Sequence, residues 1–104
     1  MALMQITVIP IGTGKPSVGD YIADIEIFLR EKGVEHVLND MGTVISGPTK
    51  ELLQLASEIH HIPLEKGAPR VVTHISLDER VDLERKIGEK QQSVLSRLQE
   101  GDKS

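Results

Sequence analysis

The chain has 104 residues, 38% of them hydrophobic, and its 12 lysines and arginines stand against 16 aspartates and glutamates for a formal net charge of -4. A single domain of this size buries roughly 60 to 70% of its unfolded surface, so any further apolar face needs a partner. The scattered basic residues exclude a phosphate-neutralising stripe for duplex nucleic acid, two aromatics (Tyr21 and Phe28) exclude a stacking platform for single strands, and the lack of cysteine excludes a disulfide, a thiolate nucleophile or a Cys-based zinc site.

No apolar run approaches the roughly 20 residues that span a bilayer, and the N-terminus enters a strand without a basic, cleavable leader. The expectation is a soluble, cytoplasmic protein with neither membrane nor nucleic acid among its partners. Leu3 to Ile11 alternates, with Met4, Ile6 and Val8 on one face and Gln5 and Thr7 on the other, as a strand does. Pro10, Gly12, Gly14 and Pro16 punctuate its end. Ser17 is a candidate N-cap with Asp20 three residues on; Val18, Ile22, Ile25 and Leu29 mark a helix that Gly33 stops.

Val34 to Leu38 reads as a second strand and Thr43 to Ile45 as its return, with Asp40 and Gly42 supplying the turn between them. Gly47 and Pro48 break the pattern. Thr49 can cap a second helix, with Leu52, Leu53, Ala56 and Ile59 as its stripe and Pro63 as its end. Arg70 to Asp78 alternates as the fourth strand, and Leu83, Ile87, Val94 and Leu98 predict a last helix over 82–98, followed by a polar tail at 99–104. The order βαββαβ plus a terminal helix is that of a single α+β, ferredoxin-like sandwich spanning 1–104. Two helices then cover one sheet face. The other face carries Val72 beside polar residues and is a candidate for self-association, in which Arg70, His74, Asp78 and Arg80 would take part.

The residues that carry chemistry concentrate in the loops. Gly12-Thr13-Gly14-Lys15-Pro16-Ser17 brings flexible backbone, a lysine and a hydroxyl to a helix N-terminus, where an anion or ligand could be met, although its spacing departs from that of a P-loop; a structural turn is the commoner role of such glycines. Asn39, Met41 and Thr43 place an amide, a soft apolar group and a hydroxyl together at the turn, which suits a small heteroaromatic ligand or, equally, the turn's own backbone needs. The four histidines do not form a metal-ligating set: His60 and His61 are adjacent and so point about 100° apart on a helix. His36 and His74 are placed to face each other across the sheet. His74, Ser76 and Asp78 share a strand face at spacings too long for a catalytic triad, and Lys86 and Lys90 read as a solvated helical pair.

Taken in order, Ile9-Pro10-Ile11-Gly12-Thr13-Gly14, Ser17-Val18, Met41-Gly42-Thr43-Val44-Ile45, Arg70-Val71-Val72-Thr73, Asp78-Glu79-Arg80 and Lys86 resemble the small thiamine-binding protein family, related to the hydroxymethylpyrimidine-binding YkoF-type proteins. The resemblance runs from about Met4 to Leu98. It implies a ferredoxin-like homotetramer, a dimer of dimers, that binds thiamine or its pyrimidine moiety without catalysis and needs no cofactor or metal. It also implies an aminopyrimidine held against Asn39, Met41, Gly42 and Thr43, with Gly12 and Thr13 closing one side. The chain departs from the family pattern at Ser46, where a glutamate usually follows Thr-Val-Ile. Ser46 offers no carboxylate to a cationic thiazolium, and Asp40, Glu51 and Asp78 are the acids positioned in sequence to replace it. Two other readings are a purely structural or regulatory oligomer without thiamine affinity, and an acylphosphatase-like hydrolase, which would want an arginine where the first loop has only Lys15.

Overall fold

The computed structural model describes residues 1–14 and 18–102, and shows β1 (Ala2–Ile11), α1 (Gly19–Lys32), β2 (His36–Asn39), β3 (Gly42–Gly47), α2 (Thr49–Glu65), β4 (Arg70–Asp78) and α3 (Glu89–Asp102). The strands form one antiparallel sheet in the order β2-β3-β1-β4. This is the split-βαβ arrangement that the element order predicts.

Registers and burial together identify the two faces. Met4 pairs with Ile45 and Leu77, and Ile6 with Thr43 and Ile75, so these residues share the face on which Ala2, Met4, Ile6 and Val8 are buried. Ile25 and Leu29 of α1 and Leu52, Leu55, Ala56 and Ile59 of α2 complete that core. Leu3, Gln5, Thr7, Ile9 and Ile11 point to the opposite face, together with Arg70, Val72, His74, Ser76 and Asp78 of the edge strand.

Gly33 ends α1 in a left-handed conformation at φ 69°, its N–H donating to the Arg30 carbonyl at 3.1 Å. The candidate cap Ser17 lies outside the described residues. Val18 occupies the cap position without a side-chain hydrogen bond. Thr49 is likewise no cap, since Pro48 precedes α2 and the Thr49 hydroxyl donates to Glu79.

Several boundaries differ from the sequence expectation for identifiable reasons. Val34 and Glu35 precede the regular strand, yet the Glu35 carbonyl still accepts the Ser46 N–H at 3.0 Å. α2 continues through Pro63: the missing N–H falls in the last turn, the ring is buried, and the Lys66 N–H reaches the Ile62 carbonyl at 3.1 Å. Leu55, not Leu53, joins the α2 core stripe, leaving Leu53 half exposed. Residues 82–88 are not helical. Gly88 sits at φ 89°, and the buried Arg85 is drawn to the half-exposed Asp78 at 3.1 Å, so α3 starts only at Glu89. Lys86 therefore precedes the helix and does not pair with Lys90 on it. His36 and His74 do not face each other: they lie on opposite edges of the sheet and on opposite faces.

Candidate functional site

Asn39 pairs with Gly42, leaving Asp40 and Met41 as a two-residue loop between β2 and β3. Neither takes a positive φ, so the loop is not one of the mirror-image turns that such short hairpins favour. The chain instead relies on Gly42 at φ 157°, where an added Cβ would stand 2.7 Å from Thr7 Oγ1 and 2.9 Å from the Ile6 carbonyl oxygen. Only glycine lets β1 and the turn approach this closely. The Thr7 hydroxyl uses that proximity and donates to the Met41 carbonyl at 2.7 Å.

Beneath the turn lies a cavity of about 180 Å³. Its apolar walls come from Ile6 and Val8 of β1, Val18, Ile22 and Ile25 at the start of α1, and Ile59 of α2. Leu38, Asn39, Asp40, Met41, Gly42 and Thr43 close the hairpin side, and Thr7 joins them. The volume is below the roughly 300 Å³ at which drug-sized sites usually begin, so it accommodates one ring better than two linked ones. Met41 is 81% exposed at the tip and forms a mobile-chained apolar rim.

Asn39, Met41, Gly42 and Thr43 all lie on the hairpin side of the cavity. Gly12, Thr13 and Ser46 are not among the lining residues. Gly12, at φ 77°, backs onto Pro69, whose Cγ lies 3.0 Å from the place a Cβ would take. Ser46 is buried farther along β3, opposite Leu3. Lys15, Pro16 and Ser17 of the glycine loop lie outside the described residues. Of the acids considered as replacements for the family glutamate, Asp40 lines the cavity, whereas Asp78 faces Arg85 and Glu51 sits in the first turn of α2.

Glu26 is the group that sequence reasoning missed. Its Oε2 accepts the Thr43 hydroxyl at 3.3 Å, and its Oε1 lies 3.8 Å from His36 Nε2. The available signal was positional: Glu26 follows Ile22 by four and precedes Leu29 by three, which puts a carboxylate on the apolar stripe of α1.

The candidate interface residues divide into two groups. Arg70, Val72 and His74 stand on the open face, while Asp78 and Arg80 are engaged within the chain, with Arg85 and Asp82 respectively. The His60 and His61 rings meet edge to face at 5.4 Å; His60 Nδ1 is 2.7 Å from Thr73 Oγ1, and His61 Nδ1 donates to the Ser57 carbonyl at 2.8 Å. Among the described residues no three His, Cys, Asp or Glu side chains converge on a metal position, and no helix is long and apolar enough to cross a membrane.

Known proteins resemble this chain along nearly its whole length. The chain is 40% identical over 105 residues to the UPF0045 protein in the glkA 3′ region of Staphylococcus xylosus, covering 97% of this chain and 98% of that one. It is 38% identical over 103 residues to UPF0045 protein YqgV of Bacillus subtilis, covering 95% and 99% respectively. A crystal structure of a hypothetical protein from Methanocaldococcus jannaschii superimposes with a TM-score of 0.79 at 29% identity, over 89% of this chain and 94% of the other. The model of the family described as "Thiamine-binding protein" matches residues 4–95, including the whole hairpin and every described wall of the cavity, and the chain belongs to that family.

Proposed function

We infer that the protein binds a small nitrogen heteroaromatic, thiamine or its pyrimidine moiety, in the cavity under the β2–β3 turn and releases it unchanged, as a cytoplasmic carrier, buffer or sensor. The observation that carries this reading is the composition of that cavity: apolar walls on three elements, with Asn39, Asp40 and Thr43 as the polar residues of the hairpin side, in a chain of the thiamine-binding family. A pyrimidine ring matches the volume, and Asp40 at the rim supplies the negative charge that a thiazolium outside the cavity would meet.

The working form in this reading is a homo-oligomer, a dimer of dimers. Two features support it. The radius of gyration is 16.2 Å, against about 13 Å for a compact chain of 100 residues, because α3 projects from the sandwich with Val94, Leu95 and Leu98 exposed. A lone helix of 14 residues is marginal in water unless its apolar side is covered. The open sheet face also leaves Ile9 and Ile11 exposed next to Val72.

Isothermal titration with thiamine, thiamine pyrophosphate and hydroxymethylpyrimidine, with light scattering on the same sample, tests both parts. Saturable binding by a tetramer without change to the ligand is the expected result. No heat with any of the three ligands from a tetramer refutes the ligand assignment, and a stable monomer refutes the assembly.

A further inference from the structure

Thr43, on the helix-covered face of β3, lines the cavity, and its hydroxyl has one proton to donate. It gives that proton to the Glu26 carboxylate at 3.3 Å. The carboxylate is an acceptor only, so what the Thr43 hydroxyl has left to offer is lone pairs. Thr7, whose hydroxyl donates to the Met41 carbonyl, points to the open face and takes no part.

Glu26 is itself largely enclosed. Its side chain is 13% exposed, and His36, 15% exposed, stands behind it with Nε2 at 3.8 Å. The ring of His36 is oriented by Nδ1, which donates to the Val34 carbonyl at 2.9 Å. Val34 can only accept there, so the Nδ1 proton is fixed and Nε2 is the atom turned to the carboxylate.

We propose that Glu26 is a positioning residue which, by taking the Thr43 proton, makes the cavity wall an acceptor surface that selects amino-substituted pyrimidines over their oxo-substituted counterparts. An exocyclic amine donates into the Thr43 lone pairs. An exocyclic carbonyl at the same place would set acceptor against acceptor and leave both unpaired. This inference rests on the cavity being the ligand site and goes further, to the ligand's hydrogen-bond polarity and the residue that sets it.

The test is calorimetric titration of 4-amino-5-hydroxymethyl-2-methylpyrimidine and its 4-oxo counterpart into the wild type, Glu26→Leu, Glu26→Gln and Thr43→Val, each first checked for folding by its thermal transition. The wild type is expected to prefer the amino ring by at least about tenfold, the factor carried by one hydrogen bond replaced with an unpaired acceptor. Glu26→Leu frees the Thr43 proton to turn toward an oxo group, so the preference falls to within about threefold. Glu26→Gln keeps a carbonyl oxygen for that proton and retains most of the preference, a rescue that a merely structural role would not produce in a ratio of affinities. Should Glu26→Leu fail to fold, Thr43→Val removes the same lone pairs without touching the helix and is expected to abolish the preference.

Equal affinity of the wild type for both rings overturns the proposal, as does an unchanged ratio in a folded Glu26→Leu protein; in either case the cavity still binds and the functional reading stands. Failure of folded wild type to bind either ring overturns the functional reading and this inference with it.

Discussion

Thr7 and Met41, 34 residues apart in the chain, are joined by a 2.7 Å hydrogen bond from the threonine hydroxyl to the methionine carbonyl, and this bond ties the tip of the β2–β3 turn to the central strand. It fixes the turn that closes the cavity. Thr7→Val keeps the shape and removes the donor, so it is expected to cost about 1 kcal/mol. For a domain of about 100 residues that is roughly 4 to 8 °C in the thermal transition. Amide exchange at Asp40 to Gly42 should accelerate more than exchange in α2, which the turn does not touch; uniform acceleration through the chain would contradict a local role.

Gly42 makes the same approach possible from the other side. A methyl group there meets the Thr7 hydroxyl, which can move, and the Ile6 carbonyl, which cannot without breaking strand pairing. Gly42→Ala is therefore expected to cost about 1 to 3 kcal/mol, the range for overpacked sites. Adding Thr7→Ala should restore little of it, because the contact with backbone remains. Full recovery in the double variant, measured by urea unfolding, would show that the side chain alone sets the constraint.

Much of this arrangement was legible before the structure, and the boundary of what was legible has physical causes. β1, α1 and β4 follow directly from alternation, helical spacing and the glycine at position 33. Asn39, Met41, Gly42 and Thr43 can be placed together at one turn from sequence because turn chemistry is local. Glu26 and Thr7 reach the site through partners 17 and 34 residues away, which no local pattern encodes. The late start of α3 has the same origin: Leu83 and Ile87 keep helical spacing, but the Arg85 ion pair with Asp78 and the positive φ of Gly88 override it. Glycine signals are ambiguous in the other direction, since the positive φ and close packing of Gly12 against Pro69 are a structural demand that the sequence does not separate from a ligand contact.

Charge at the cavity rim gives a sharper ligand test. Asp40 lines the cavity, while Asp78 is committed to Arg85 on the other side of the sheet. If Asp40 takes the role of the glutamate absent at Ser46, Asp40→Asn weakens thiamine binding by about tenfold, the lower end for a charge-assisted contact because the residue is exposed. Glu51→Gln leaves the affinity unchanged. The loss should shrink as salt rises from 0.05 to about 0.5 M, since exposed charges are screened. Hydroxymethylpyrimidine, which has no thiazolium, should bind both proteins equally.

Lys66 and Asp24 connect the end of α2 to α1 at 2.6 Å, and the ammonium also lies 5.7 Å from the centre of the Tyr21 ring. The hydrogen bond to Asp24 raises the Lys66 pKa above its ordinary 10.5. A raised pKa in the folded state means that the folded protein holds this proton more tightly, so the contribution is present below 10.5 and is lost as pH rises through the folded value. Both side chains are well exposed, which keeps the effect small. Lys66→Met should lower the thermal transition slightly at pH 7, and the difference from wild type should fade as the pH is raised beyond 10.5 and through the folded-state value. A difference that persists there would assign the effect to packing on Tyr21 instead.

Arg85 and Asp78 are unequal partners, and the inequality predicts which one matters. The Arg85 side chain is 8% exposed and that of Asp78 is 47% exposed; their atoms approach to 3.1 Å, and Arg85 Nε has no hydrogen-bond partner among the described residues. Removing the carboxylate strands a guanidinium that is already imperfectly satisfied, whereas removing the guanidinium leaves a carboxylate that water can reach. Breaking a fully buried pair costs about 3 to 5 kcal/mol. With one partner half exposed, about 1 to 2 kcal/mol is expected for Asp78→Ala, and less for Arg85→Met, whose side chain refills the space. Urea midpoints of the two variants decide it. The reverse order, Arg85→Met the more damaging, would mean that the guanidinium is retained for its packing between the N-terminal strand and the 79–88 segment, where its backbone N–H already reaches the Met1 carbonyl at 3.4 Å, and not for its charge.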